Sequence, residues 1–429
     1  MSPAQSSHVP AGGSATRRRR LMSRAVALAT IVAFLGGCGT AASEPLARPS
    51  GAAADIPTAV RAGDAFAISL LQRLGQGGGN VVFSPYSIET ALSMVDAGAA
   101  GSTATEIDHV LHTTRPTAVA AGLAALDARL TTAARVKGAP QVDLADGLWV
   151  QSGLTLKRPF TQTLASLFGA RPQAVDFAGA PDAARQRINS WVAARTAHLI
   201  TNLFPAGSIT GQTALVLANA IYLAAHWAEP FTRGATAPGP FYTAAGPAVS
   251  VPFMTGAPDK FSYADAGGYR AVDLPYRHST LSMLLVMPKP GTLAHFEQGL
   301  SAGSLAGIAR GLRPTSLDLH MPRFHLNLAT DLEQVLSELG MPVAFTDAAD
   351  FSGISAQASL KISAVEHAAY LRVDEQGTVA AAATGIALEP TAIEVRPATV
   401  LTLDHPFLAF LRDNATGAIL FAAQVANPA

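Results

Sequence analysis

Only one of the 429 residues is cysteine, so no disulfide can form within the chain and stability has to come from a packed core. Charged residues are also scarce, at 14% against 49% hydrophobic, and a globular protein with one large core or two ordinary domains is expected. The body of the chain carries no long Lys/Arg cluster, which argues against nucleic acid or another polyanion as partner. The motifs of common enzymes are missing too. There is no HExxH, GxSxG, SxxK, P-loop or CxxC, and the 11 His are scattered without ligand spacing, so no enzyme activity, metal or cofactor is expected. No segment repeats at a solenoid period.

What is present begins with an unusual N-terminus. Arg17 to Arg20 and Arg24 precede the apolar run Ala25 to Leu35, which is too short to span a bilayer stably. Residues 1–37 therefore read as a secretory signal. Leu35-Gly36-Gly37-Cys38 resembles a bacterial lipobox, in which the cysteine thiol is diacylated after cleavage, so Cys38 is the expected lipid attachment point. That places the protein across the cytoplasmic membrane and anchored on its outer side. Twin-arginine or general export, and a start at Met1 or Met22, stay open. Residues 1–37 hold five Arg and no acid, so the processed chain has 25 basic against 30 acidic residues, a net of −5. Residues 38–56 are mostly Ala, Ser, Pro and Gly and read as a flexible tether. Beyond them no second linker interrupts the apolar periodicity, and residues 57–429 are expected to form one domain.

Ser84-Pro85 predicts a helix start, with Ile88, Ala91, Leu92 and Val95 on one face. Thr103 to Leu111 and Ala183 to Leu199 predict two more helices. Val142 to Val150, Leu215 to Leu223, Leu281 to Met287 and Ser316 to Phe324 read as strands, the second apolar on both faces and suited to the middle of a sheet. Pro406 to Leu411 and Ala418 to Val425 read as a hairpin around Asp413-Asn414-Ala415-Thr416-Gly417. Helices early with strands late predict an α+β fold.

The most informative stretch runs from Asp374 to Gly385. Four alanines between threonines read on composition as helix interior, yet the acidic lead-in and Gly377 read as a hinge into a strand of small residues. Asp374-Glu375-Gln376-Gly377-Thr378 with Ala380 to Thr384 strongly resembles the proximal hinge of the serpin reactive-centre loop. Other segments resemble serpins in the same order. They are Asn80 to Ile88, Ile188 to Val192, Leu217 to Tyr222 with Trp227, Asp350 to Ile354, and Asp404 to Leu408. Together they span about Pro57 to Pro428. Two positions depart from the pattern: Val379 replaces the usual Glu, and Ala409 a bulkier residue.

The resemblance implies several helices packed around a large central β-sheet, with smaller sheets and an exposed loop from about Gly377 to Thr402. It implies a monomeric inhibitor that traps a serine protease as an acyl-enzyme when the cut loop enters the sheet. The hinge would comprise Glu375, Gly377, Thr378, Ala380, Ala381, Ala382, Ala383 and Thr384. With Thr378 facing inward, Ala380, Ala382 and Thr384 do so too, and Val379 faces out. The family register, counted from Glu375, puts the reactive bond at Thr391–Ala392 behind Pro390, which suits an elastase-like or subtilisin-like protease; Glu389, Ile393 and Arg396 are the rivals, the last favouring trypsin-like enzymes. Ser84, Ser87, Asn219 and His367 match the polar cluster beneath the parting sheet, although each also reads as an ordinary core residue. Trp227 and Arg323, the latter paired with Glu375, would lie where the loop first inserts. The other reading of the same fold is a non-inhibitory binding or carrier protein whose loop is only cleaved.

Overall fold

The computed structural model describes residues 51–378 and 398–429, apart from 245, 257, 258, 358 and the side chains of 143 and 144. The signal segment, Cys38, most of the tether, Val379, Ala380 to Thr384 and the Thr391–Ala392 bond lie outside the described residues. All described residues fall in one compact unit, Leu46–Ala429.

The helices are α1 (Ile56–Leu74), α2 (Pro85–Asp96), α3 (Gly101–Val110), α4 (Pro116–Ala133), α5 (Arg158–Phe168), α6 (Pro181–Arg195), α7 (Leu293–Gln298), α8 (Ala302–Gly311) and α9 (Glu333–Leu339). Proline in the first two positions starts α1, α2, α4, α5 and α6, where its missing N–H is no loss. Ser84 caps α2 by accepting the Ser87 N–H at 3.1 Å. The tether expected through residue 56 ends sooner, because a 3-10 turn over Ala53–Asp55 leads straight into α1. The helix expected through Leu199 also ends early, at Arg195, where Ala197 and His198 turn into the left-handed region.

One sheet has six strands in the order β11 (Phe324–Asp331), β12 (Ala364–Asp374), β13 (Gly377–Thr378), β4 (Leu215–His226), β2 (Gln141–Gln151) and β3 (Gln173–Val175). The other has ten. Its path runs β1 (Val81–Phe83), β16 (Ile419–Val425), β15 (Phe407–Asp413), β9 (Leu281–Pro288), β8 (Tyr269–Pro275), β7 (Asp259–Asp265), β10 (Arg313–Pro322), β6 (Val249–Met254) and β5 (Ala237–Phe241), with β14 (Thr399–Thr402) parallel to β10. The strand expected over 316–324 is two strands in different sheets: Pro322 ends β10, Arg323 N–H bonds the Pro252 carbonyl, and Phe324 opens β11. The C-terminal hairpin forms as β15 and β16, with Ala409 buried opposite Ala423 and Leu285. Every residue of β9 and of β16 is buried, which explains why each is apolar but for one residue, Ser282 and Gln424.

Candidate functional site

β4 and β12 pair in parallel from Val216 opposite Ala364 to Ile221 opposite Ala369. Beyond that point they part and β13 lies between them, antiparallel to both. Thr378 faces Val373 on one side and Ala225 on the other, the two residues that would meet if β4 and β12 stayed paired. Gly377 and Thr378 of the hinge are therefore already a strand of this sheet. Gly377 is required there, since its φ is 153° and a Cβ would sit 1.9 Å from the Ala225 carbonyl oxygen.

Several groups hold this end of the gap. Thr378 is buried, its hydroxyl 2.6 Å from that of Tyr276, whose ring stacks on Trp227 with centroids 4.6 Å apart. The Trp227 indole N–H donates to the Asp374 carbonyl at 3.0 Å and its backbone N–H to that of Gln376 at 2.9 Å. Glu375 is buried and accepts from Nε of Arg323 at 2.7 Å, from a second Arg323 nitrogen and from the Thr236 hydroxyl. Burial alone would raise its pKa. The hydrogen bonds from Arg323 and Thr236 outweigh it and hold the carboxyl group below its ordinary range.

Further along the same gap, side chains bridge the strands that still touch. His367 on β12 and Asn219 on β4 are directly opposite and hydrogen-bonded through Nδ1 and Oδ1. The His367 Nε2 accepts the Ser84 N–H at 3.1 Å, and the Asn219 amide donates to Ser87 Oγ at 2.6 Å. Ser84 Oγ donates in turn to the Leu420 carbonyl at 2.7 Å, which ties the cluster to the second sheet. All four are fully buried. Burial drives the His367 pKa down to about 3, so the ring is neutral at any working pH.

The structure thus brings together Ser84, Ser87, Asn219 and His367 at one level of the gap, and Trp227, Arg323, Glu375, Gly377 and Thr378 at its end. Sequence reasoning missed Tyr276, Thr236 and Asp146, the last of which accepts from Ser87 Oγ at 2.6 Å and from Asn219 Nδ2 at 2.5 Å. Tyr276 follows a proline at a strand end and Thr236 sits in a Pro/Gly-rich loop, contexts that carry no signal. Asp146 did have one: an acid within a segment read as a buried strand needs a partner. Among the described residues no group of three or more His, Cys, Asp or Glu is placed to hold a metal ion. A gap between two strands that already holds the short strand β13 is a place where further strand can be added.

Residues 61–428 match the family model described as Serpin (serine protease inhibitor). An uncharacterized serpin-like protein of Thermococcus kodakarensis is 33% identical, over 95% of this chain and 99% of its own length. Iripin-2 of Ixodes ricinus is 35% identical over 85% of this chain and 92% of its own. Human thyroxine-binding globulin, solved with its hormone, superposes with a TM-score of 0.78 at 27% identity, covering 87% of this chain and 99% of the globulin. On family match, sequence and fold together, the chain belongs to the serpin family of serine protease inhibitors.

Proposed function

We propose that this serpin is inhibitory and acts as a suicide substrate on an elastase-like or subtilisin-like serine protease. The protease serine oxygen attacks the Thr391 carbonyl carbon, the bond to Ala392 breaks, and the Ala392 nitrogen leaves as an amine. The ester left on Thr391 is then carried along as residues 379–391 enter the gap between β4 and β12. Trapping requires insertion to outrun hydrolysis of the ester.

The observation that carries this reading is the placement of β13. If insertion continued the β13 register, Ala380 would fall between Leu371 and Leu223, Ala382 between Ala369 and Ile221, and Thr384 between His367 and Asn219. Small side chains would then meet the buried face at each inward position, and Val379 would fall beside Arg372 and Ala224 on the other face. A new strand of about 14 residues gains roughly 1 kcal/mol net per main-chain hydrogen bond, on the order of 10 kcal/mol before packing. Insertion to that depth has to part His367 from Asn219.

The second reading, a carrier whose loop is only cleaved, draws on the likeness to thyroxine-binding globulin. The absence of charge and proline from Thr378 to Thr384 weighs against it. We further propose that Cys38 carries the lipid that holds the inhibitor outside the cytoplasmic membrane. Incubation of the purified protein with pancreatic elastase and with subtilisin, followed by a denaturing gel and mass analysis, tests the main claim. A persistent covalent complex and a C-terminal fragment beginning at Ala392 are expected; cleavage without a complex favours the carrier reading.

A further inference from the structure

The hydrogen-bonded chain that joins β4 to β12 has a direction, and one end of it is ionisable. The Ser84 backbone N–H can only donate, so His367 Nε2 must accept and the ring proton must sit on Nδ1. The Nδ1–H then donates to the Asn219 carbonyl oxygen, which turns the Asn219 amide towards β2. There Asp146, paired with Asn219 across the β2–β4 ladder, receives the amide at 2.5 Å and the Ser87 hydroxyl at 2.6 Å on the same oxygen. Asp146 is the terminal acceptor of the whole chain.

Among the described residues, no cation is among the groups that act on this carboxyl. Asp127 of α4 adds negative charge, α2 brings Tyr86, kept neutral by burial, and β12 brings the neutral His367. Complete burial, reinforced by Asp127, raises the Asp146 pKa to about 8 against the pull of the Ser87 and Asn219 hydrogen bonds. In the closed sheet burial disfavours the ionised form. Parting of β4 from β12 breaks the His367–Asn219 bond and lets water reach the cluster, which favours the ionised form over the neutral one.

We propose that Asp146 is a positioning residue for loop insertion, and that ionisation of its side chain makes β4 and β12 part more readily. The proposal rests on the inhibitory reading only in that insertion needs this opening; the opening itself is measured without any protease. A missing covalent complex would therefore leave the result readable.

Amide hydrogen exchange of the full chain between pH 6 and 9, corrected for the intrinsic pH dependence of exchange, reports the opening. Protection of residues 364–369 is expected to fall by about tenfold across this range, the change given by a one-unit difference in Asp146 pKa between closed and open sheets. Asp146→Asn, which keeps the shape and an acceptor oxygen, should hold protection within about threefold. Glu366→Gln should keep the wild-type fall, which separates Asp146 from the neighbouring β12 acid that titrates near pH 7. Unchanged wild-type protection, or the wild-type profile in Asp146→Asn, would overturn the proposal. A carbon-13 titration of the Asp146 carboxyl in the unmutated protein guards against a misfolded variant. A midpoint near 8 is expected, and one below 6 would overturn it equally.

Discussion

The hydroxyl groups of Tyr276 and Thr378 lie 2.6 Å apart, and both side chains are buried. This contact joins the first inward-facing residue of the hinge to a residue at the end of β8, on the second sheet. Tyr276→Phe leaves the Thr378 hydroxyl without that partner, a loss of about 1–3 kcal/mol. The amides of Gly377 and Thr378 should then exchange faster while those of β15 stay protected; unchanged exchange at 377 and 378 would contradict the anchoring role.

Arg323→Ala removes the cation that holds Glu375. Glu375 has a folded pKa below its unfolded one, so its contribution is present above the ordinary carboxylate range and lost as pH falls through the folded value. Both the substitution and acidification to below the ordinary carboxylate range should loosen the hinge. Warming Arg323→Ala should produce ladders of polymers on a native gel, and a single unshifted band would count against the pairing as a lock.

Thr378→Arg puts a charge where Val373, Ala225 and Tyr276 leave no room or counter-ion. Burying it costs several kcal/mol, so the hinge should stay out of the sheet. The expected result is a protein that the target protease cuts at the wild-type rate without forming a persistent complex. Retained complex formation would mean that this row is not on the path of insertion.

Buried acids govern the pH response of the rest of the fold. Burial raises Asp64, Asp96 and Glu297 to about 7 and pushes Glu89 well above its ordinary range, so each binds more protons folded than unfolded. Their contribution is fully present below the unfolded carboxylate pKa and is lost as pH rises through about 7. The urea midpoint should drop between pH 5 and 8, and Glu89→Gln, which removes one of these groups beside Gly63, should flatten the drop. A midpoint that climbs over this interval would refute the account.

Cys38→Ala tests the anchor. Fractionated cells should show the variant in the soluble extracytoplasmic fraction, with the wild type in membranes. If the variant stays with the membranes, the lipid attachment is wrong.

Much of this fold was legible in its sequence, for identifiable reasons. Ser84 with Pro85 is a local signal, and the strands β4 and β9 are apolar on both faces because both faces are covered. α4 escaped notice because its alanines and mixed faces give no clear stripe, and β10 was run into β11 because hydrophobic alternation continues across Arg323. The site divides in the same way. Hinge and polar cluster follow a motif in linear order, whereas Tyr276, Thr236 and Asp146 reach the site through pairings between distant strands that linear spacing does not encode.

The last strands of the chain have a bearing on what a cut leaves behind. β14 lies on β10, β15 sits between β9 and β16, and β16 sits between β15 and β1. A break anywhere in residues 379–397 would therefore release nothing: the C-terminal piece is woven into the ten-stranded sheet and stays with the body. Two polypeptides would remain one particle with its history written into its topology, so that a population of these molecules, once cut, would carry a lasting molecular record of how many had been.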